Sequence, residues 1–395
     1  MLMAELTALL TPEGLRLLDA VDSVDSTDDV ARLVSGLRAS GHSPELVTAV
    51  VTQARLRTRG RAKFGELADR MLFTRAGLEQ ATRLGVAVRH AARFRNAGLE
   101  RVADLGCGIG GDALGLAGLG LHVDAVDVDD VTAAIAAYNL APFGQDATVR
   151  QGTAEDSDLS AVDAVWLDPA RRTAGHGDTS RTRAEDWSPS LDWSFELSTR
   201  MPTGIKLGPG LDRTSIPDHV EAQWVSAEGS TIELVLWSGA LAREGVRRAA
   251  LVIRGEAAHE LTASADAADE PPRALGTYLH EPDGAVIRAR LIGDVARSLE
   301  AGVLDEKIAY LTSDAAVTSP FVQSFRVRET LPADAKKLGQ ALRSRGIGRL
   351  EIKKRGVDID PAVLRRTLKL KGEEEATLIL TRVGAKRIAI LADRV

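Results

Sequence analysis

Apolar positions in about the first hundred residues recur at three- and four-residue spacing, which is typical of amphipathic helices. Ser26–Ser40 and Ser43–Leu56 each begin with a serine that can accept a hydrogen bond from the first helical turn. Met71–Phe94 has the same spacing and is predicted to form one further helix after a short turn. We therefore expect residues 1–98 to form a helical N-terminal region.

From Glu100 onward, short apolar runs replace the long helical pattern. Five of these runs predict strands, with helices between the first three: RVADL, LHVDAVDV, ATVRQ, AVDAVWLD and TGIKLG. Strands that alternate with helices favour a parallel sheet with both faces covered, which we assign to residues 99–263. The runs STIELVLWSG and VRRAALVIRG follow without an intervening helix and are expected to pair antiparallel as the closing strands.

The segment SADAADEPPRALG, residues 264–276, is acidic, rich in small residues and contains two prolines, so it is the predicted linker. Residues 277–330 form a connecting β-rich segment, in which two strands are expected around the turn Pro282–Gly284. Residues 331–395 predict a small α+β domain in the order helix, strand, helix, strand, strand. With 395 residues in all, two or three domains are expected.

Composition excludes several protein classes. A hydrophobic content of 44% and a charged content of 27% are typical of a soluble globular protein. No run approaches the roughly 20 apolar residues of a spanning helix, and the first ten residues lack a basic region, so we expect a cytoplasmic protein without membrane contact. The single cysteine, Cys107, excludes an internal disulfide, and the 7 histidines show no zinc-ligand spacing, so no metal is expected.

The charge is distributed unevenly along the chain. Residues 334–395 carry 16 Lys and Arg against 8 Asp and Glu, a local net charge of +8 in a chain whose total is −6. Such a basic region is typical of binding to a phosphate backbone, although it also suits a merely soluble surface. Its candidate RNA contacts are Lys353, Lys354, Arg355 and Arg365. Residues 53–65 carry five further cations, either on a solvated helix face or on a phosphate-contacting edge.

The segment ADLGCGIGGD, residues 103–112, lies between a predicted strand and a predicted helix. Its glycines satisfy the pattern G-x-G-x-x-G, which lets the backbone turn sharply and approach a ligand closely. Asp104 precedes the first glycine by two residues, where an acid suits a ligand with a cationic ammonium and sulfonium. Asp127 ends the second strand, where a carboxylate can accept both hydroxyls of a ribose.

These residues resemble a known family. Asp-Leu-Gly-Cys-Gly-Ile-Gly is similar to motif I of class I S-adenosylmethionine-dependent methyltransferases, Asp127 to their ribose-binding acid, and Asp168-Pro169-Ala170-Arg171 to their motif IV. The resemblance covers about residues 71–255. It implies a Rossmann-like methyltransferase fold with a mostly parallel seven-stranded sheet, and S-adenosyl-L-methionine as the cofactor.

The resemblance also implies which residues contact the cofactor. Gly106, Gly108 and Gly110 would line its methionine end, and Asp156 would border its adenine, although Thr153 stands where an aspartate often follows glycine. The segment FTRAGLEQAT resembles the part of related enzymes that packs over the cofactor, which makes Thr82 a further pocket residue.

Motif IV implies the chemistry. In amino-methyltransferases of nucleic acids, which the motif resembles, Asp168 and the Pro169 carbonyl would accept the two hydrogens of an exocyclic amine. Here Ala170 and Arg171 replace the second proline and the stacking aromatic, so the Arg171 guanidinium, Trp187 or Trp193 would have to contact the base face. Arg172 beside this motif and Lys206 after the fifth strand favour a phosphate-bearing substrate.

The final 65 or so residues resemble the THUMP-like domains of RNA-modifying enzymes. This implies structured RNA, transfer or ribosomal, as the partner of an RNA-base methyltransferase. A small-molecule methyltransferase, a non-catalytic RNA-binding protein and an NAD-dependent oxidoreductase remain as alternatives. The last of these accounts for the glycine pattern but for neither Asp104 nor Asp168-Pro169. The sequence leaves the oligomeric state open.

Overall fold

The computed structural model describes residues 1–21, 23–171 and 187–395, and of Arg171 it describes the backbone alone. The chain divides into two compact units. The first contains residues 1–207, 217–220 and 236–242, and the second contains residues 208–216, 221–235 and 243–395.

The first unit begins with six helices: α1 Met3–Leu9, α2 Pro12–Asp19, α3 Thr27–Ala39, α4 Pro44–Phe64, α5 Arg75–Gln80 and α6 Leu84–Asn96. Ser26 and Ser43 cap α3 and α4 as predicted, since each side chain accepts a backbone N–H bond from three residues further on.

The prediction of one helix over Met71–Phe94 is wrong. Residues 71–74 form an extended segment between a 3-10 helix at Gly65–Arg70 and α5. Met71, Leu72 and Phe73 are all buried. Three consecutive buried side chains do not fit the single apolar stripe of a surface helix, which explains the extended segment.

The remaining helices and strands up to residue 263 form an α/β architecture. The helices are α7 Gly111–Gly118, α8 Asp130–Leu140 and α9 Leu191–Arg200. The strands are β1 Arg101–Leu105, β2 His122–Asp127, β3 Ala147–Gln151, β4 Ala164–Leu167, β5 Ala170–Arg171, β6 Trp187–Ser188, β7 Thr203–Leu207, β8 Glu221–Ala227, β9 Ser230–Trp237, β10 Arg248–Arg254 and β11 Ala257–Ala263. All but β5 and β6 belong to one sheet, in the order β11-β10-β8-β9-β7-β4-β1-β2-β3.

The α/β fold class is confirmed, although the sheet has nine strands instead of seven and is mixed. Strands β3, β2, β1, β4 and β7 are parallel neighbours, so their carboxyl ends share one edge. The predicted antiparallel pairing of β9 with β10 is wrong, because β8 lies between them and pairs parallel with β10. Strand β8 was not predicted, because Gln223 and Ser226 interrupt its apolar residues, although all seven positions are buried.

The second unit contains a seven-stranded sheet. Its helices are α10 Gly284–Ala289, α11 Ile292–Ser298, α12 Ala335–Ser344 and α13 Pro361–Leu368. The strands of this sheet are β12 Tyr278–Pro282, β13 Gly302–Asp305, β14 Ile308–Ser313, β15 Val322–Leu331, β16 Ile347–Lys354, β17 Glu374–Val383 and β18 Lys386–Arg394, in the order β13-β14-β12-β15-β18-β17-β16. The predicted order of elements after residue 331 is confirmed.

Two features of this unit differ from expectation. A helix, α10, follows β12 where a second strand was predicted, and the Asp283 carboxylate caps it by accepting a bond from the Ala285 N–H. In addition, β15 pairs with β12 on one side and with β18 on the other. A single sheet therefore extends across the boundary that the sequence places between residues 330 and 331.

Across the helices of the described residues, none has the length and apolar character that a membrane span requires.

Candidate active site

The glycine loop connects the end of β1 to the start of α7. Gly106, Gly108 and Gly110 have φ angles of 88°, 56° and 87°, in the left-handed region that side chains disfavour. The Gly106 N–H donates to the Val126 carbonyl over 2.8 Å, which ties the loop to β2. A Cβ at Gly106 would lie 3.2 Å from the Asp168 carbonyl oxygen. The loop therefore needs glycine here to pass close to the end of β4.

Asp127 holds this loop from the end of β2. Its Oδ2 accepts a hydrogen bond from the Gly108 N–H over 2.9 Å, and its Oδ1 accepts one from the Asp129 N–H over 3.0 Å. Burial raises the pKa of Asp127 above its usual value, although these two amides act in the opposite direction. The predicted ribose-binding acid thus lies directly against the glycine loop.

Asp104 is the most isolated acid of the site. Only 1% of the residue is exposed, and neither carboxylate oxygen has a hydrogen-bond partner within residues 1–21, 23–171 and 187–395. Burial, followed by the nearby charges of Asp112 and Asp168, raises the pKa of Asp104 well above its usual range. A buried acceptor without a donor is costly, so a cationic ligand group beside Asp104 would offset that cost.

Lys206 lies at the carboxyl end of β7, and its ammonium contacts three other residues of the site. Its Nζ lies 2.6 Å from Asp168 Oδ2, 2.7 Å from Thr82 Oγ1 and 3.3 Å from Asp112 Oδ2. The residue is only 9% exposed. Lys206 is predicted from the sequence to face substrate phosphate, whereas in the structure its ammonium contacts two carboxylates inside the site.

Asp112 and His90 complete this network, and neither is among the site residues predicted from the sequence. Asp112 Oδ2 accepts the Thr82 hydroxyl over 2.6 Å, and Asp112 Oδ1 lies 2.9 Å from His90 Nδ1. Burial alone would raise the pKa of Asp112, but Lys206, His90 and Thr82 together hold it well below its usual value. The sequence contained one signal for Asp112. It is an acid in the first turn of the helix that follows a glycine loop.

Aromatic side chains pack against this network at the His90 ring. The His90 ring lies 4.6 Å from Trp166 and 6.1 Å from Trp237, measured between ring centroids. Phe94 packs edge-on against both tryptophans. All four residues are buried, so close packing against the three aromatic side chains fixes the position of His90 in the network.

Four predicted site residues remain in this part of the chain: Asp156, Pro169, Arg171 and Arg172. Asp156 is exposed, and its carboxylate accepts the Thr153 hydroxyl over 2.7 Å in the turn after β3. Pro169 is buried beside Asp168. The Arg171 backbone lies in β5, which pairs with Trp187 of β6, and Arg172 lies outside the described residues.

The predicted RNA contacts of the second unit differ in their exposure and in their pairing with acids. Lys353 and Arg355 both contact Glu281, at 2.6 Å and 3.5 Å, so these cations are paired with an acid. Lys354 and Arg365 are exposed. The exposed pair has the accessibility that an RNA contact needs.

A comparison with curated proteins shows the family. The chain is 35% identical, over 346 residues, to a protein of Mycobacterium tuberculosis named as an uncharacterized S-adenosylmethionine-dependent methyltransferase, in strains CDC 1551 and H37Rv alike. The match covers 84% of this chain and 91% of that protein. The chain belongs to the S-adenosylmethionine-dependent methyltransferases.

Other comparisons describe parts of this methyltransferase. Residues 322–394 match the family described as THUMP domain-like, and residues 3–60 match a domain of unknown function (DUF8688). A crystal structure from Porphyromonas gingivalis W83, provisionally described as a methyltransferase, has a TM-score of 0.71 at 21% identity and covers 94% of this chain and 99% of that one. This similarity shows a shared fold.

The predicted family, enzyme class and methyl donor are confirmed, and so is the THUMP-like C-terminal region. The oxidoreductase and non-catalytic alternatives are excluded by the family. The orphaned Asp104 carboxylate and the glycine loop at Asp127 fit S-adenosylmethionine, which carries an ammonium, a sulfonium and two ribose hydroxyls.

Proposed function

We propose that this methyltransferase modifies an exocyclic nitrogen of a base in structured RNA. The observation that carries the proposal is the position of Asp168, which directly follows β4 beside the glycine loop and is held there by Lys206 at 2.6 Å. This acid is followed by Pro169, so a carboxylate and a backbone carbonyl come together at the edge of the sheet where parallel strands end.

The cofactor would be held by residues around the glycine loop. Asp104 would pair with the ammonium or sulfonium, Asp127 with the ribose hydroxyls, and the backbone of Gly106, Gly108 and Gly110 would approach the methionine end. When bound, S-adenosylmethionine supplies an electrophilic methyl group. Thr82 contributes indirectly, because its hydroxyl joins Asp112 to Lys206.

Asp168 would orient the acceptor. An exocyclic amine has its lone pair delocalised into the ring, and a carboxylate that accepts one of its hydrogens fixes the direction in which the nitrogen faces. The Pro169 carbonyl would be the second acceptor. Lys206 fixes the Asp168 carboxylate, so that it reaches the amine without rearrangement.

RNA is the favoured acceptor because of the second unit. Its THUMP domain-like match coincides with the region of net charge +8, and Lys354 and Arg365 are exposed there. Transfer and ribosomal RNA satisfy this argument equally. A small metabolite as acceptor gives no role to these exposed cations.

The test is transfer of tritiated methyl groups from S-adenosylmethionine to total RNA. We expect incorporation by the wild type, loss with Asp168→Ala, and retention with Asp358→Ala, which removes an exposed acid of the second unit. Nucleoside analysis of the labelled RNA would then identify the modified atom. Labelling of small molecules with no label in RNA would overturn the proposal.

A further inference from the structure

A cavity of about 1060 Å³ lies in the first unit, and none of the site residues described above contributes to its wall. The end of α2, the middle of α4, the 3-10 helix at Gly65–Arg70 and the end of α8 surround it. Three arginines and two aspartates supply its charges: Arg57, Arg61, Arg70, Asp19 and Asp69.

Arg57 is the principal cation of this cavity. Its guanidinium donates from Nε to the Met71 carbonyl over 3.0 Å and from Nη1 to Asp19 Oδ1 over 2.9 Å. The third nitrogen, Nη2, is buried and has no hydrogen-bond partner in the described part of the chain. A buried cationic donor without an acceptor is rare in native proteins, because its lost hydration is not replaced.

The other two arginines differ in their pairing. Arg61 is already bound to Asp69 by two hydrogen bonds, at 2.9 and 3.0 Å. Arg70 is exposed and forms no ion pair with any described residue. The cavity therefore has one cation in excess of its acids, and both Arg57 and Arg70 can donate to an added anion.

The rest of the wall suits a nucleotide. Leu18, Val21 and Pro142 are apolar, and the half-buried Tyr138 offers an aromatic ring and a hydroxyl. A guanidinium binds phosphate oxygens through two parallel N–H bonds, whereas an apolar and aromatic wall accepts a base or sugar.

We propose that this cavity is a second ligand site that binds the phosphate group of a nucleotide, with Arg57 and Arg70 as its phosphate contacts. The nucleotide is either a unit of an RNA chain or a free molecule, since both present the same phosphate chemistry. The site also assigns a role to two of the five cations of residues 53–65, Arg57 and Arg61, because both line the cavity. Arg57 faces the cavity, while Arg55 and Arg59 are exposed on α4.

The first experiment uses inorganic phosphate and adenosine 5′-monophosphate as probes, with the full-length protein and no methyl donor. Isothermal titration calorimetry should show binding to the wild type and to Arg38→Ala, which removes an exposed arginine on α3 outside the cavity. Arg70→Ala should weaken binding of both probes by roughly tenfold or more, the loss expected for a charge-assisted hydrogen bond. Equal affinities for wild type and Arg70→Ala would overturn the proposal, as would the absence of binding to the wild type.

Arg57→Lys provides a second variant, because Arg57 also anchors Met71 and its truncation to alanine would disturb folding. The lysine keeps the charge but loses the planar set of donors, so phosphate affinity should fall, and a thermal unfolding transition measured alongside shows that the variant is folded. Unchanged phosphate affinity in a folded Arg57→Lys protein would contradict the assignment of Arg57.

A binding assay with a labelled RNA hairpin distinguishes the two sources of phosphate. If Arg70→Ala weakens RNA binding and Arg38→Ala does not, the occupant is a unit of the RNA chain. If only adenosine 5′-monophosphate binding changes, the occupant is a free nucleotide. Because none of these assays includes a methyl donor, their failure is separate from failure of the RNA-methylation proposal.

Discussion

Lys206 Nζ and Asp168 Oδ2 lie 2.6 Å apart, and this ion pair joins the ends of two neighbouring parallel strands, β7 and β4. The same ammonium reaches Asp112 at the start of α7. A single lysine thereby fixes the acid that would contact the acceptor relative to the helix that follows the glycine loop. We therefore propose that Lys206 is a positioning residue for Asp168.

Lys206→Met should lower kcat for RNA methylation by roughly 10- to 100-fold, because a misplaced acceptor loses much of the benefit of orientation. The affinity for S-adenosylmethionine, measured by calorimetry, should change little. The KM for RNA should also change little, since the ammonium contacts carboxylates instead of substrate phosphate.

Lys206→Arg is the matched control, because it keeps a cation between the two acids and should recover part of kcat. Melting temperatures must accompany both variants, since removing one partner of a buried ion pair costs about 3–5 kcal/mol. A rise in KM for RNA at unchanged kcat would instead indicate the direct phosphate contact that the sequence predicts.

Asp127→Ala should weaken S-adenosylmethionine binding by about 10-fold or more, because two ribose hydroxyls lose a charged acceptor. Isothermal titration calorimetry measures this directly. The substitution also frees the Gly108 N–H. Asp127→Asn keeps one acceptor oxygen and should give an intermediate affinity, whereas wild-type affinity in both variants would exclude Asp127 from the cofactor site.

We expect cofactor binding to depend on pH through Asp104. Its pKa in the unliganded protein is well above the usual range, and a cationic ligand favours the ionised form. The affinity for S-adenosylmethionine should therefore increase as pH rises toward that pKa, and binding near neutral pH should release a proton. Calorimetry in two buffers of different ionisation enthalpy detects this release, which Asp104→Asn should remove.

The same acid should reduce the stability of the unliganded protein. A group whose pKa is raised by folding contributes stability that is complete below its unfolded pKa and is lost as pH rises toward its folded pKa. Asp104→Asn should accordingly raise the melting temperature at neutral pH while it weakens cofactor binding. A lower melting temperature would show that the carboxylate has a partner that stabilises the fold.

Lys354→Ala and Arg365→Ala should each reduce the salt dependence of RNA binding, by a slope of about 0.7–0.9 for each lost phosphate contact. Filter binding at several salt concentrations gives this slope. Lys353→Ala should have a smaller effect, because its ammonium is paired with Glu281 at 2.6 Å. Identical slopes for all three variants and the wild type would place the RNA elsewhere.

The sequence was sufficient to predict features that depend on adjacent residues. The glycine loop, Asp104 and Asp127 follow from one motif and from the strand that comes next, and the C-terminal order of elements follows from clear periodicity. The network around Lys206 was not predictable in this way, because Thr82, Asp112 and Lys206 meet only after three distant elements have packed together. Their contacts are a property of the fold, which no local pattern records.

The strand pairing was similarly beyond local patterns. The apolar runs of β9 and β10 are real strands, but their partners depend on β8, whose mixture of polar and apolar residues gave no signal. Likewise, the boundaries of the linker and of the C-terminal domain were predicted from local patterns. In the structure, β15 pairs with strands on both sides of residue 331.

Strand β18 is an interior strand of the seven-stranded sheet, and this position has a consequence for protein synthesis. This strand, Lys386–Arg394, lies between β15 and β17, so the sheet remains divided until these residues have left the ribosome. Until then β15 presents an unpaired edge in the nascent chain, the kind of surface that promotes aggregation. Ribosomes that stall before residue 386 would therefore release a chain that chaperones or proteases must remove, because correct folding of this unit depends on the synthesis of β18.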